Sequence, residues 1–198
     1  MGRESFILRI AIYGGTFDPI HIAHLIIAEY AFAELSLDKL IFIPSFSPPH
    51  KLSVPMTSPN HRLHMVKLAI AENPKLNVSD FEIIKQGTSF TVDTLIHFSG
   101  HFHVQKKDLY LLVGADNLLD FHLWKDPEEI VRLAQIAVAN RPSFTLSNAR
   151  LTDYVVVGAP LLDISASMIR KRMQQKKSVR YLVPPKVEEY ILQHGLYQ

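Results

Sequence analysis

The chain has 198 residues, of which 47% are hydrophobic and 20% are charged, and its formal net charge is +2 at pH 7. This length is enough to bury the core of one ordinary domain, and the apolar content excludes a mainly disordered chain. The absence of cysteine excludes a disulfide framework, a thiolate metal site and a cysteine nucleophile. No apolar run reaches the roughly 20 residues that a membrane-spanning helix needs. We therefore expect a cytoplasmic protein with no membrane partner.

The basic residues are concentrated near the end of the chain. Residues 168–198 contain seven Lys or Arg against two Glu. Such a block is typical of a solvated helix face, and it could also attract phosphate groups. The total charge is too small to require a nucleic acid partner.

Short apolar runs alternate with amphipathic segments along the first half of the chain. Continuous apolar runs at residues 6–13, 39–43 and 108–113 predict strands that are buried on both faces of a sheet. Apolar side chains at helical spacing predict a helix over residues 21–35. Ser58, followed by proline, predicts the N-cap of a second helix that runs to about residue 72.

The second half continues the alternation. One or two strands are predicted within residues 76–84, and others at 135–139 and 154–157. Helices are predicted at 91–98 with Ser89 or Thr91 as its cap, in two pieces within 117–133 divided by Pro127, at 166–175, and at 185–194 with Gly195 after its end. This order predicts a single α/β domain over residues 1–198. Its fold is a doubly wound, Rossmann-like, mostly parallel sheet with helices on both faces and a short helical part from about residue 164.

The segment that leaves the first strand is the strongest candidate site. In such a sheet, ligands bind beyond the carboxyl ends of the strands, beside the first one. Gly14 and Gly15 let the backbone approach a ligand, and the predicted helix that follows directs free N–H groups and its positive dipole end to the same place. His21 and His24 are three residues apart, so both imidazoles lie on one face of the first helical turn. This arrangement favours an anion, most naturally a phosphate.

The sequence lacks the motifs that several other classes of enzyme require. The loop has no third glycine of a dinucleotide fingerprint, and the chain has no Gly-Lys-Ser/Thr phosphate loop and no Gly-x-Ser-x-Gly nucleophile turn. A zinc-protease interpretation of the two histidines is weaker, since Ile22 and Ala23 between them supply neither a ligand nor a base.

Two separate motifs now indicate a family. Residues 14–24, GGTFDPIHIAH, resemble the first signature of the nucleotidylyltransferase superfamily, and residues 164–170, ISASMIR, resemble its second. Segments at 48–51, 89–95 and 114–130 are similar to bacterial nicotinate-nucleotide adenylyltransferases, and the similarity runs from about Ile10 to Tyr197. Ala23, Phe90 and the pair Ala166 and Ser167 depart from the usual pattern without removing a charged group.

The resemblance implies a reaction between ATP and nicotinic acid mononucleotide that gives deamido-NAD and pyrophosphate, with Mg²⁺ carried by the ATP phosphates and no dedicated metal site. It implies His21, His24, Arg170 and Lys51 as the catalytic residues. It assigns ATP binding to Gly14, Gly15, Thr16, Phe17, Ser165, Ser167, Gly114, Asp116 and Arg141, and mononucleotide binding to Asp18, Lys51, Phe90, Thr91 and Trp124.

Several alternatives stay open from the sequence. Asp18 would equally suit a turn, Asp116 a helix N-cap, Trp124 the core and Arg170 a solvated surface. The acceptor could be another phosphorylated compound such as phosphopantetheine or the substrate of a cytidylyltransferase. A nucleotide-binding module without catalysis and a metal-dependent phosphohydrolase are further rivals. The preference for the acid or the amide mononucleotide and the assembly into a homo-oligomer are not determined.

Overall fold

The sheet of the protein is built from short parallel strands. A computed structural model describes residues 8–49, 56–140 and 151–198. Within these ranges the strands are β1 (Ile10–Gly15), β2 (Lys39–Pro44), β3 (Leu76–Val78), β4 (Leu109–Gly114), β5 (Gln135–Ala139) and β6 (Val155–Val157). They form one sheet in the order β3-β2-β1-β4-β5-β6, and every adjacent pair is parallel. The predicted doubly wound α/β fold is confirmed.

Helices connect the strands. They are α1 (Ile22–Glu34), α2 (Pro59–Ile70), α3 (Phe81–Lys85), α4 (Thr91–Phe102), α5 (Ala115–Leu119), α6 (Pro127–Leu133), α7 (Ala166–Gln174) and α8 (Pro185–Gln193), with short 3-10 turns at Lys106–Asp108 and Phe121–Leu123. Ser58 caps α2 as predicted, since its hydroxyl accepts a hydrogen bond from the His61 N–H. No helix in the described ranges is both long and apolar enough to cross a membrane.

The sheet is covered on both faces because successive residues of each strand point to opposite sides. Ala11 and Tyr13 of β1 belong to a core that α1, α2, α7 and α8 cover. Ile10 and Ile12 belong to a second core, which α4, α5 and α6 cover. The C-terminal helices thus pack on the first core, to which Ile169 of α7 contributes a fully buried side chain. The division of the chain into domains stays a prediction.

The structure decides one open local prediction and corrects another. Of the one or two strands predicted within residues 76–84, one is present, β3, and α3 follows it. The Ser79 hydroxyl accepts a hydrogen bond from the Phe81 N–H at the start of this helix, which directs the chain out of the sheet. The predicted caps of α4 are wrong: Phe90 occupies the N-cap position without a side-chain bond. The Ser89 hydroxyl instead accepts bonds from the Phe46 and Ser47 N–H groups.

The topology places a crevice beside β1. The chain leaves β1 towards β2 on one side, whereas β4 on the other side leads to β5. Connections that diverge in this way open a gap at the carboxyl ends of the two central strands. Gly14 and Gly15 end β1 and Gly114 ends β4, so the predicted site residues gather at this gap.

Candidate active site

One cavity of about 1000 Å³ lies at the carboxyl ends of β1 and β4. Fifteen of the predicted site residues line it: Gly14, Gly15, Thr16, Phe17, Asp18, His21, His24, Phe90, Thr91, Gly114, Asp116, Trp124, Ser165, Ser167 and Arg170. The other two, Lys51 and Arg141, lie outside the described residues. Residues separated by more than 150 positions in the chain therefore meet around one space.

The two glycines at the end of β1 have different roles. A Cβ atom on Gly15 would lie 2.8 Å from the ring of Phe17, which folds back over it. Phe17 has a φ angle of 49° and is buried, so Gly15 is required by packing. A Cβ atom on Gly14 would meet nothing within 4 Å. Gly14 is therefore the position where the bare backbone borders open cavity.

The two histidines form a stacked pair. Their ring centroids are 3.7 Å apart with 26° between the planes, and the His21 N–H donates a hydrogen bond to Nδ1 of His24 at 3.2 Å. Because Nδ1 of His24 is an acceptor, the proton of the neutral ring resides on Nε2, which is then a donor. The ring of His24 also packs edge-on against Phe17, with centroids 5.1 Å apart. The orientation of this donor is thus fixed before any ligand binds.

The first turn of α1 offers fewer backbone donors than expected. The Ile22 N–H donates to the Leu182 carbonyl at 2.9 Å, and the His24 N–H donates to the His21 carbonyl at 3.0 Å. Both groups are engaged within the protein, so the expectation of free N–H groups at this terminus is wrong for these two. Nε2 of His24 is therefore a side-chain donor at a turn where these two backbone N–H groups are already engaged.

The start of α7 supplies the second cluster of polar groups. The Ser165 hydroxyl accepts a hydrogen bond from the Met168 N–H at 3.2 Å and lies 3.1 Å from the Ser167 hydroxyl. Arg170 donates from Nη1 to the Asp18 carbonyl at 2.7 Å. A guanidinium has five N–H donors, and this bond uses one of them. Arg170 therefore belongs to the cavity wall and not to a solvated surface.

A buried arginine holds the loops around the cavity. Arg62 on α2 is 0% exposed, and its guanidinium donates to the carbonyls of Thr16 at 2.7 Å, Thr57 at 2.9 Å and Phe46 at 3.2 Å. Burial lowers the pKa of Arg62, and the charge of Asp18 opposes this effect. The sequence analysis missed this residue. The signal available in the sequence was the spacing of Arg62, three residues before the apolar Met65, which places both side chains on the same, buried face of the helix.

Asp18 is the most enclosed of the predicted polar residues after His21. It is 4% exposed, and its carboxylate accepts hydrogen bonds from the Tyr197 hydroxyl at 2.5 Å and the Thr57 N–H at 3.2 Å. Burial and the charge of Asp18 raise the pKa of Tyr197. Both carboxylate oxygens are thus engaged within the protein. This favours a role for Asp18 in holding the loop and not in the predicted contact with a mononucleotide. No local sequence signal pointed to Tyr197.

The other end of the cavity, where Phe90 and Trp124 pack on the second core, is aromatic. Trp124 packs against Phe121 with centroids 5.3 Å apart, and Phe90 lies at the N-cap of α4 beside Thr91. Lys125 places Nζ 4.7 Å from the centroid of the Phe90 ring. Nearby, Gly114 occupies the N-cap of α5 and Asp116 lies within its first turn, so the N-cap alternative for Asp116 is excluded.

A buried glutamate borders the aromatic end. Glu82 accepts a hydrogen bond from the Thr94 hydroxyl at 2.6 Å, and burial raises the pKa of its carboxyl group. Its link to Thr94 joins α3 to α4 behind the cavity wall. The sequence analysis missed both Glu82 and Lys125, which line the cavity.

Comparison with known proteins identifies the family. A cytidylyltransferase-like family model matches residues 12–172. A probable nicotinate-nucleotide adenylyltransferase of Clostridium tetani is 40% identical and covers 95% of this chain and 98% of its own. A relative of the same name from Caldicellulosiruptor saccharolyticus is also 40% identical, over 96% and 100% of the two chains. The chain belongs to the nicotinate-nucleotide adenylyltransferase family.

Solved structures of related proteins have the same fold. A Plasmodium falciparum nicotinic acid mononucleotide adenylyltransferase, complexed with NaAD, superposes with a TM-score of 0.79 at 22% identity and covers 96% of this chain and 97% of its own. A putative nicotinate-nucleotide adenylyltransferase of Vibrio parahaemolyticus gives a TM-score of 0.71 at 19% identity, with 96% of each chain covered. These likenesses confirm the Rossmann-like architecture.

Proposed function

We propose that this protein transfers the adenylyl group of ATP to nicotinic acid mononucleotide and thereby makes deamido-NAD and pyrophosphate. A phosphate oxygen of the mononucleotide attacks the α-phosphorus of ATP, the new P–O bond forms, and the bond to the β-phosphate bridging oxygen breaks. Pyrophosphate leaves with the electron pair of that bond. The observation that carries the proposal is a single cavity with a stacked histidine pair at one end and an aromatic wall at the other.

The histidine end would hold the ATP phosphates. Charge accumulates on the departing pyrophosphate, so donors that are already oriented lower the barrier more than mobile ones. His24 is oriented by the bond to its Nδ1 and by Phe17, and Arg170 by its bond to the Asp18 carbonyl. Ser165 and Ser167 would add hydroxyl contacts. The roles of Lys51 and Arg141 in phosphate binding stay predictions.

The aromatic end would hold the mononucleotide. Its pyridine ring carries a positive charge at the ribosylated nitrogen, and such a ring stacks favourably on the face of an indole. Trp124 offers that face at the cavity wall, and Phe90 and Thr91 lie beside it. The two substrates would then meet between the ends of the cavity with the attacking oxygen near the α-phosphorus.

Magnesium is expected to enter with ATP. This ion prefers oxygen ligands and keeps several waters when it binds nucleotide phosphates. Residues 8–49, 56–140 and 151–198 contain no group of three or more His, Asp or Glu suited to hold a metal. When bound, the ion would neutralise phosphate charge. The protein would position it indirectly, through the residues that hold the phosphates.

Pyrophosphate release tests the proposal. The purified protein would be assayed with Mg-ATP and each of nicotinic acid mononucleotide, its amide, phosphopantetheine and no acceptor. We expect rapid release with the nicotinic acid mononucleotide and deamido-NAD as the second product. Release only with phosphopantetheine would indicate another acceptor. Release without any acceptor would indicate a phosphohydrolase, and ATP binding without release would indicate a non-catalytic module. Cytoplasmic location and homo-oligomer formation stay predictions.

A further inference from the structure

Lys125 brings a positive charge to the aromatic end of the cavity. It lines the cavity directly after Trp124, and its Nζ lies 4.7 Å from the centroid of the Phe90 ring. The side chain is 45% exposed. A lysine in this position lies next to the surface that would stack against a substrate ring.

The partner of Lys125 is shared with a second lysine. Asp93 on α4 pairs with Lys85 through Oδ2, and with Lys125 through Oδ1 at 3.4 Å. The hydrogen bond from Lys85 is the largest cause of the lowered pKa of Asp93, and Lys125 contributes less. One carboxylate cannot balance two ammonium groups. Lys85 takes the larger share of it, so Asp93 balances only part of the charge of Lys125, whose side chain lines the cavity.

The two mononucleotides respond differently to such a charge. Both carry a positive charge on the ribosylated ring nitrogen, but only the acid form adds a negative carboxylate to the ring. A lysine at the ring repels the amide form, whereas the carboxylate of the acid form offsets that repulsion and gains a charged hydrogen-bond partner. Specificity therefore arises from a penalty on one substrate and an attraction to the other.

We infer that Lys125 is a specificity-determining residue that favours nicotinic acid mononucleotide over its amide. The inference rests on the proposed function, since it concerns the acceptor of that reaction. It assigns this discrimination to one side chain at the edge of the aromatic wall.

The test compares kcat/KM for the two mononucleotides in three variants. Lys125→Met should lower kcat/KM for the acid form about tenfold, mainly through KM, and leave that for the amide form unchanged or slightly higher. Lys125→Arg should keep the wild-type ratio because it keeps the charge. Lys106→Met is the matched control: the Lys106 side chain is 44% exposed and pairs with a carboxylate, that of Asp153, but it does not line the cavity, so the ratio should not change.

The outcomes separate this inference from the proposed function. If the wild-type protein releases pyrophosphate with neither mononucleotide, the proposed function itself is wrong. If the wild type uses the acid form, an equal loss with both substrates in Lys125→Met would overturn the specificity role, because it would indicate a contact to a group that both share. The same change of ratio in Lys106→Met would overturn it as well. A thermal melt of each variant checks that the fold is retained.

Discussion

The two ends of the cavity are supported in different ways. At the histidine end, the loop after β1 is held by the fully buried Arg62, by the bond between Asp18 and Tyr197, and by Arg170. At the aromatic end, Trp124 is partly exposed and Lys125 more so. Under the proposed function, the donors that would meet developing charge are fixed in advance, whereas the wall that would recognise a ring is left accessible.

This difference has kinetic consequences. Interactions that strengthen in the transition state affect kcat, and interactions that are equal in the ground and transition states affect KM. We therefore expect substitutions at the histidine end to reduce kcat and those at the aromatic end to raise KM for the mononucleotide. Changes in the buried support of the histidine end should also reduce the free energy of unfolding.

The largest effect is expected for Arg62→Met. The substitution leaves the carbonyls of Thr16, Phe46 and Thr57 without their donor and removes one of the positive charges near Asp18. We expect the free energy of unfolding to fall by about 3–5 kcal/mol, with loss of activity, as measured by denaturant titration and pyrophosphate release. Lys67→Met, at an exposed position of the same helix, should change neither. Equal stability of the two variants would show that the buried guanidinium does not support the loops.

His24→Ala should come next. Loss of one preorganised donor reduces kcat by roughly 100-fold or more in comparable sites, and the helix should persist because alanine favours it. Stopped assays of pyrophosphate release measure kcat, and circular dichroism checks the fold. Near-normal turnover in a folded variant would remove this ring from the catalytic machinery.

The same comparison explains what the sequence could predict. Continuous apolar runs revealed most of the strands, since burial on both faces of a parallel sheet demands them. The histidine pair was predictable because both residues lie at the start of one helix, His21 as its N-cap and His24 in its first turn. The residues that support the histidine pair were not predictable. Arg62 bonds to Thr16 across 46 residues of sequence, and Tyr197 bonds to Asp18 across 179. Such contacts exist only once the fold has formed.

Local ambiguity accounts for the positions that the sequence left open or assigned wrongly. The segment that forms α3 has apolar residues at Phe81, Ile83 and Ile84, which suits either a short strand or one helical turn. The role of Ser89 was also hidden, because its hydroxyl serves the loop after β2 and not its own helix. In the sequence, Lys125 is one of several charged residues in a short segment that also contains Asp126, Glu128 and Glu129, and only the cavity shows that it adjoins an aromatic wall.

Tyr197→Phe should have an intermediate effect. It removes the hydroxyl that donates to Asp18 Oδ1 and leaves a buried carboxylate oxygen without that donor. We expect the free energy of unfolding to fall by about 1–3 kcal/mol. We also expect kcat to fall about tenfold with little change in KM for the mononucleotide, since the displaced loop carries the histidine end. Tyr181→Phe is the control, because Tyr181 is 82% exposed. A loss of stability without any loss of kcat would limit Tyr197 to a structural role.

The smallest effect is expected for Trp124→Ala. The indole packs on Phe121 and, under the proposed function, would contribute a stacking surface for the substrate ring, but it lies at the accessible wall and not among the proposed donors to phosphate. We expect KM for the mononucleotide to rise roughly tenfold, with a smaller change in KM for ATP and in kcat. Initial-rate measurements with each substrate varied in turn provide an internal control, because a general loss of structure would affect both constants. If KM rises equally for both substrates, the tryptophan supports the cavity as a whole, and the contrast between its two ends does not extend to substrate recognition.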